Sequence, residues 1–247
     1  MKISAVTVCF NSAATIGHTV ESFLAQSHPD KELLVIDGGS ADRTVEIVKG
    51  FSTSDIRIIS ESDRGIYDAM NKGLRDFSGD AVGFLNSDDT YHDAGTLARI
   101  ADGLERTDAV YGDLVMVDSH DTKRVVRNWQ AGPFQPGAFR KGWMPPHPTF
   151  YIRRELANAV GAFDLHYRIS ADYDFMLRAL ELQAPRVGYI PHPMIDFLTG
   201  GHGSGLRAVI KGNLECLRSR HRNLGTPLLD PALVTKPARK ILQLRWR

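Results

Sequence analysis

The chain has 247 residues, 43% of them hydrophobic and 24% charged, with a net charge of +1. These values describe an ordinary globular chain with enough apolar residues for one large core, and exclude a disordered or disulfide-scaffolded one. No apolar stretch approaches the length of a membrane span, and the two cysteines, Cys9 and Cys216, stand far apart without metal-ligand spacing. Buried, reduced thiols and a cytoplasmic location are therefore expected. Met1 leads directly into the apolar run Ile3 to Cys9, too short for a secretory signal.

Charge is unevenly distributed. From Gly205 onward ten lysines and arginines stand against Glu215 and Asp230, a surplus of eight, whereas the preceding residues carry a deficit of seven. A basic tail of this kind suits a phosphate-rich surface. The expected organisation is one domain over residues 1–204 and a basic helical appendage over 205–247.

Taken in order, Ile3 to Phe10 has the pattern of a buried strand, and after Asn11-Ser12 the residues Ile16, Val20, Phe23 and Leu24 recur at helical spacing. Leu33 to Ile36 repeats the strand pattern and ends on Asp37 and the turn Gly38-Gly39-Ser40, after which Asp42 can cap a helix carrying Val45, Ile47 and Val48. Ile56 to Ile59 is a third strand, followed by a polar loop to Arg64 and a helix from Ile66 to Phe77. The run from Val82 to Leu85 is a fourth, buried strand that ends in Asn86-Ser87-Asp88-Asp89. Four strands separated by helices predict a parallel sheet, whose ligands gather at the carboxyl ends of its strands. Adjacent carboxylates repel one another, so Asp88 and Asp89 at such an end call for a cation with a preference for oxygen.

A helix from Ala94 to Leu104 follows, and then the rhythm changes. Ala109 to Val117 and Lys123 to Trp129 predict a hairpin, so an antiparallel region succeeds the parallel half. The stretch from Gln130 to Pro148 is rich in glycine, proline and aromatic residues, a composition typical of functional loops. Phe150 to Ile152 is a short strand, and Ser170-Ala171-Asp172-Tyr173-Asp174 introduces a helix whose dipole favours acids at its head. Two apolar runs, Val187 to Ile190 and Met194 to Leu198, lead to Gly200-Gly201-His202-Gly203-Ser204-Gly205. This hexapeptide is either a linker or a loop that approaches a ligand closely. Val209, Ile210, Leu214, Leu217 and Leu224 then mark one face of a helix whose other face is basic.

Neither a Gly-x-x-x-x-Gly-Lys-Ser/Thr loop nor a Gly-x-Gly-x-x-Gly turn after the first strand is present, so phosphates bound here need a metal held by acids. Val6-Thr-Val-Cys-Phe-Asn11, Val35-Ile-Asp-Gly-Gly-Ser-Ala-Asp-Arg-Thr44, Ser62-Asp-Arg-Gly-Ile-Tyr-Asp-Ala-Met-Asn-Lys-Gly73, Phe84-Leu-Asn-Ser-Asp-Asp89 and Ala171-Asp-Tyr-Asp-Phe175 stand in an order and spacing specific enough to compare with known families. Together they resemble the family-2 glycosyltransferases with the GT-A fold, and within them a bacterial branch that assembles exopolysaccharide, colanic-acid-like polymers and glycolipids.

The resemblance implies an α/β, Rossmann-like, mostly parallel sheet with flanking helices and a small antiparallel acceptor-side region. It also implies metal-dependent, inverting sugar transfer from a nucleotide-diphosphate sugar. By match to the family's motifs, Asp37, Asp63, Asp88 and Asn71 contact the nucleotide sugar, a UDP-sugar above all. Asp89 ligates Mg²⁺ or Mn²⁺, and Asp172 is the general base. His147 in Pro145-Pro-His-Pro-Thr149, His202 in the glycine-rich loop, and Asp174 are further candidates, and Tyr67 and Trp143 are candidates for stacking on a sugar. The partners implied are a lipid-linked or oligosaccharide acceptor and an anionic membrane surface reached by the basic tail, and not nucleic acid.

The chain departs from the family pattern in three places. Asn86 stands where many relatives have the first acid of Asp-x-Asp, Met70 stands where many have arginine, and Gln243-Leu-Arg-Trp246 is one residue short of the Gln-x-x-Arg-Trp motif of processive enzymes. Two other classes fit these residues less well. A nucleotidyltransferase acting on a sugar phosphate wants a basic, glycine-rich loop after the first strand, where this chain has Asn11-Ser12-Ala13-Ala14. A non-catalytic nucleotide-sugar-binding protein would lack the metal or base acid, and both are present.

Overall fold

A computed structural model describes residues 1–119, 121–199 and 206–227. Three strands with their following helices come first: β1 (Ile3–Cys9), α1 (Ile16–Leu24), β2 (Lys31–Asp37), α2 (Thr44–Gly50), β3 (Ile56–Ser60) and α3 (Ile66–Asp76). β4 (Ala81–Phe84), β5 (Thr90–Tyr91), α4 (Thr96–Leu104), β6 (Ala109–Val117) and β7 (Val125–Trp129) continue the chain. The remainder is β8 (Tyr151–Arg153), α5 (Arg154–Val160), α6 (Ala171–Leu177), β9 (Val187–Leu198) and α7 (Leu206–Leu224).

All nine strands form one sheet in the order β3-β2-β1-β4-β8-β6-β9-β5, with β7 added beside β6. β1 pairs in parallel with both β2 and β4, and β2 with β3, so the carboxyl ends of all four strands share one edge. β8 enters antiparallel between β4 and β6 and restores the direction of β6, which pairs in parallel with β9. β6 and β9 therefore also end at that edge. The order reverses between β1 and β4, a switch point where two loops part and leave a crevice.

The inner strands β1, β2 and β4 are buried along nearly their whole length because both faces are covered. Ala5 and Cys9 of β1, with Leu33 and Val35 of β2, pack against Ile16, Val20 and Phe23 of α1 and Leu97 and Ile100 of α4. Val6, Val8, Leu34 and Ile36 face Met70 of α3 and a second core that runs through Phe163, Phe175 and Cys216. α3 lies so close to β1 that a Cβ on Gly73 would sit 2.3 Å from a Val6 methyl. Cys9 and Cys216 are both buried thiols, as expected.

Three expectations change in the folded chain. The hairpin strand opposite β6 begins at Val125 rather than Lys123, and Val125 and Val126 are exposed on the edge of the sheet. The apolar runs at 187–190 and 194–198 form one strand, β9. Its pairing with β6 shifts register opposite Asp113, next to Pro193, because a proline has no amide to give the ladder and is accommodated at an irregularity.

The third change concerns α7. Its inner face consists of Gly212, Glu215, Cys216, Leu217, Ser219 and Arg220, all buried, while Val209, Ile210 and Leu214 are exposed. Hydrogen bonding overrides hydropathy here. The Glu215 carboxylate accepts the backbone amides of Arg168, Ile169 and Ser170 at 2.8–3.2 Å, and the Ser170 hydroxyl donates to the carbonyl of Gly212 at 3.0 Å. Residues 206–224 of the expected appendage thus form a helix packed on the domain, whereas residues 228–247 lie outside the described ones.

Candidate active site

The shared edge is built from four loops stitched together by short polar side chains. After β1, Asn11 takes a left-handed conformation with φ 50°, and its side-chain oxygen accepts the amide of Ala41 at 2.9 Å. Its own amide donates to the Ser40 hydroxyl at 2.8 Å, and the Ser12 amide to the Thr44 hydroxyl at 2.7 Å. Asp42, predicted to start α2, accepts the amides of Thr44 and Ala13 at 3.0 Å and so joins the first two loops. Across the switch point the hydroxyls of Ser12 and Ser87 are 3.0 Å apart, linking the β1 loop to the acidic turn after β4.

Asp37 is fully buried at the end of β2. It accepts the amides of Gly39 and Ser40 at 3.2 and 3.0 Å and the hydroxyls of Ser40 and Ser60 at 2.5 and 2.6 Å, with the Cys9 thiol 3.7 Å away. Burial opposes its charge, but these donors together hold the carboxyl below its usual range. Conversely, burial and the neighbouring Asp37 push the Cys9 thiol up to about 12. Asp37 therefore shapes the turn from beneath instead of reaching outward.

The outward-facing group is Asp63, which is half-buried and accepts the amide of Gly65 at 2.8 Å. Its other oxygen leans over Gly38, 2.5 Å from where a Cβ would stand, and the Phe10 ring lies 3.5 Å from the same point. Phe10 is 63% exposed although it directly follows a buried strand. The Asp63 carboxylate thus fills the space a side chain at position 38 would need, and the exposed Phe10 ring stands beside it. Sequence reasoning passed over Phe10 and Gly38; the signal available was a large aromatic in the first position past a strand.

The acidic turn separates its two acids. Asp88 is half-buried, while Asp89 is fully buried. Asp89 accepts the Asn86 side-chain amide at 2.7 Å and the Leu198 backbone amide at 3.1 Å, the latter from the end of β9. Burial, followed by the charge of Asp88, raises its carboxyl well above the ordinary value, and the two amide donors offset this only in part. The acid expected to ligate metal is thus the enclosed one, and Asp88 is the one that faces outward. The donors at this turn are oxygens, and among the described residues no set of three or more His, Cys, Asp or Glu converges. Such a sparse, hard-donor site fits Mg²⁺ or Mn²⁺, which take substrate phosphates and water for the rest of their shell.

Asp172 lies in the first turn of α6, half-buried, and accepts the Tyr67 hydroxyl at 3.2 Å. The same hydroxyl donates to the carbonyl of Ile169 at 2.6 Å, and the Tyr67 ring stacks on Phe163 at 5.9 Å. Tyr67 thus positions the base candidate from within the core. His147 stacks on Phe84, the last residue of β4, at 5.6 Å and meets Phe163 edge-on at 6.1 Å. Burial lowers its pKa and the nearby Asp172 opposes this, which leaves a neutral imidazole between α6 and the β4 edge. Beside Tyr67 opens a cavity of about 130 Å³ lined by Arg64, Ile66, Asp68, Leu165, Tyr167 and Arg168.

Three expected contacts are directed elsewhere. Asn71 exchanges two hydrogen bonds with the backbone of Phe163, at 2.7 and 3.0 Å, and so fastens a loop rather than a ligand. Asp174 is buried and bonded to Arg178, Ser219 and Asn223 at 2.8, 2.8 and 2.9 Å, pinning α6 to α7 away from the crevice. A residue two places from Asp172 points to another side of the helix. Trp143 donates to the carbonyl of Ala131 at 2.9 Å and packs edge-on to Tyr111 and Phe139, as a core residue. His202 lies outside the described residues.

Residues 4–169 match the model of the glycosyl transferase family 2. The chain belongs to that family. Over 174 residues it is 34% identical to a PGL/p-HBAD biosynthesis glycosyltransferase of Mycobacterium bovis, a match that covers 68% of this chain and 65% of that relative. A glycosyltransferase of Mycobacterium tuberculosis, itself uncharacterized, is 30% identical over 228 residues, covering 89% and 84% of the two chains. The fold is similar to that of S. aureus TarS in complex with UDP-GlcNAc, with a TM-score of 0.70, 19% identity and coverage of 94% and 69%. It is also similar to that of the mannosyltransferase PcManGT of Pyrobaculum calidifontis in complex with GDP-Man and Mn²⁺, with a TM-score of 0.68, 19% identity and coverage of 95% and 68%. The GT-A-type α/β architecture is thereby established for this chain.

Proposed function

We propose that this family member transfers a sugar, with inversion, from a nucleotide-diphosphate sugar to a hydroxyl of a lipid-linked or oligosaccharide acceptor in bacterial surface polysaccharide or glycolipid assembly. The carrying observation is a half-buried Asp172 that accepts the Tyr67 hydroxyl and neighbours His147, which stacks on Phe84 at the end of the strand leading to the half-buried Asp88. Inverting transfer needs two such groups on opposite sides of the anomeric carbon. The mycobacterial relative named for PGL/p-HBAD biosynthesis supports a biosynthetic transferase, and the UDP-GlcNAc and GDP-Man complexes of the structural neighbours favour a nucleotide-sugar donor.

In this reading the nucleobase lies against the exposed Phe10 ring and the Asp63 carboxylate. Asp88 and the enclosed Asp89 beside it are the acids that would hold Mg²⁺ or Mn²⁺. The ion would neutralise charge developing on the departing diphosphate. Asp172 accepts the proton of the acceptor hydroxyl, whose oxygen bonds to the anomeric carbon as the carbon–oxygen bond to the diphosphate breaks. His147, neutral and wedged beside Phe84, orients a hydroxyl or phosphate oxygen. The cavity beside Tyr67 receives the acceptor, with Arg64 and Arg168 at its rim suited to a phosphate on it.

Incubation with a panel of nucleotide sugars and Mn²⁺ or Mg²⁺, with and without a lipid extract, tests this directly. Acceptor-dependent release of nucleoside diphosphate and a product of opposite anomeric configuration are expected. Full turnover in excess chelator would remove the metal from the mechanism, and a retained configuration would remove Asp172 as a simple base.

A further inference from the structure

The outer stripe of α7 has no role in the site described above, and its composition is unusual. Arg207, Ile210, Lys211, Leu214 and Arg218 stand at i, i+3, i+4, i+7 and i+11, so they line one face of the helix. All five are exposed, with Ile210 53% and Leu214 47% accessible, and they border a shallow groove with Glu215. The helix cannot turn this stripe inward. Glu215 is committed to three backbone amides, Ser219 and Asn223 to Asp174, and the buried Arg220 to the hydroxyl of Tyr173 at 3.2 Å. Two branched apolar side chains are therefore held in water among three cations.

We propose that this stripe docks on an anionic lipid surface, with Ile210 and Leu214 entering the interface and Arg207, Lys211 and Arg218 meeting phosphate headgroups. Charge selects this occupant. The chain's own C-terminal segment carries Lys236, Arg239, Lys240, Arg245 and Arg247 against Asp230, and a second copy docked through the same stripe would present the same cations, so both are repelled. Position supports it as well. The segment 168–170 gripped by Glu215 also supplies Arg168 to the cavity beside Tyr67, so a docked α7 places that cavity near the surface from which a lipid-linked acceptor arrives. That last point rests on the transferase reading; the docking itself does not, and is measured without turnover.

The test is co-sedimentation of the full chain with vesicles of phosphatidylcholine alone or with 30% phosphatidylglycerol. Binding to the anionic vesicles only, screened by high salt, is expected. Replacing Arg207, Lys211 and Arg218 together by glutamine should lower partitioning roughly 100-fold, from roughly five-fold per basic residue. Circular dichroism and metal-dependent donor hydrolysis should remain those of the parent, since none of the three touches the site. A fluorophore on Leu214→Cys should shift to the blue with anionic vesicles. Equal binding to both vesicle types, unchanged binding of the triple variant, or loss only when the five cations of the C-terminal segment are neutralised would overturn the proposal. So would concentration-dependent dimers that vanish on Ile210→Ser and Leu214→Ser substitution.

Discussion

Two acid pairs that look alike in sequence, Asp88-Asp89 and Asp172-Tyr173-Asp174, are divided by the fold in the same way and completed in opposite ways. In each pair the first acid is half-buried at the crevice and the second is buried. Asp174 is paired with the guanidinium of Arg178 at 2.8 Å and with two further donors, so its charge is fully compensated within the protein. Among the described residues Asp89 receives two neutral amides, and it lies beside another acid. One buried acid fastens two helices; the other is left short of positive charge. A charge deficit maintained at a strand end is how a protein binds a cation, at a cost to its own stability.

The comparison breaks most visibly at Asp172. Asp172→Asn should lower kcat by about 10²- to 10⁴-fold while leaving donor affinity by calorimetry unchanged. A parallel loss of donor affinity would move Asp172 to the donor side.

Removing the compensated acid should be the largest blow to stability. Asp174→Ala strands the Arg178 charge and should cost about 3–5 kcal/mol in urea unfolding. A cost under about 1 kcal/mol would mean that solvent already screens the pair.

The uncompensated acid should behave in reverse. Its pKa in the folded chain is raised, so the stability linked to it is fully present below the unfolded carboxyl's 3.8 and is lost as pH rises through the folded value. Asp89→Asn, with the Asn86 amide flipped to accept, should therefore melt several degrees above the parent at neutral pH without metal. The gain should fade toward acid pH, and Mn²⁺ should narrow it by stabilising the parent alone. A variant less stable than the parent at neutral pH would show that the carboxylate is already compensated.

The smallest effect concerns positioning. Tyr67→Phe removes one hydrogen bond to Asp172, and a bond of ~1 kcal/mol predicts a fall in kcat of roughly five-fold with donor affinity intact. An unchanged kcat would show that Asp172 is oriented by α6 alone.

Much of this molecule could be read without coordinates. Runs of apolar residues too short for helices, each followed by helical periodicity, determine parallel strands, and parallel pairing brings Asp37, Asp63, Asp88 and Asp89 to one edge, because strand direction is a property of the whole run. Which of those acids face outward could not be read that way. Burial of a turn residue depends on donors supplied from far along the chain: Ser60 for Asp37, Leu198 for Asp89, Ser219 and Asn223 for Asp174. Asn71 and α7 make the same point, since a side-chain amide is claimed by the Phe163 backbone and a glutamate by three distant amides. Hydropathy along the chain determined which segments are buried; hydrogen bonds between segments, invisible to any local pattern, decided which polar groups remain to meet a ligand.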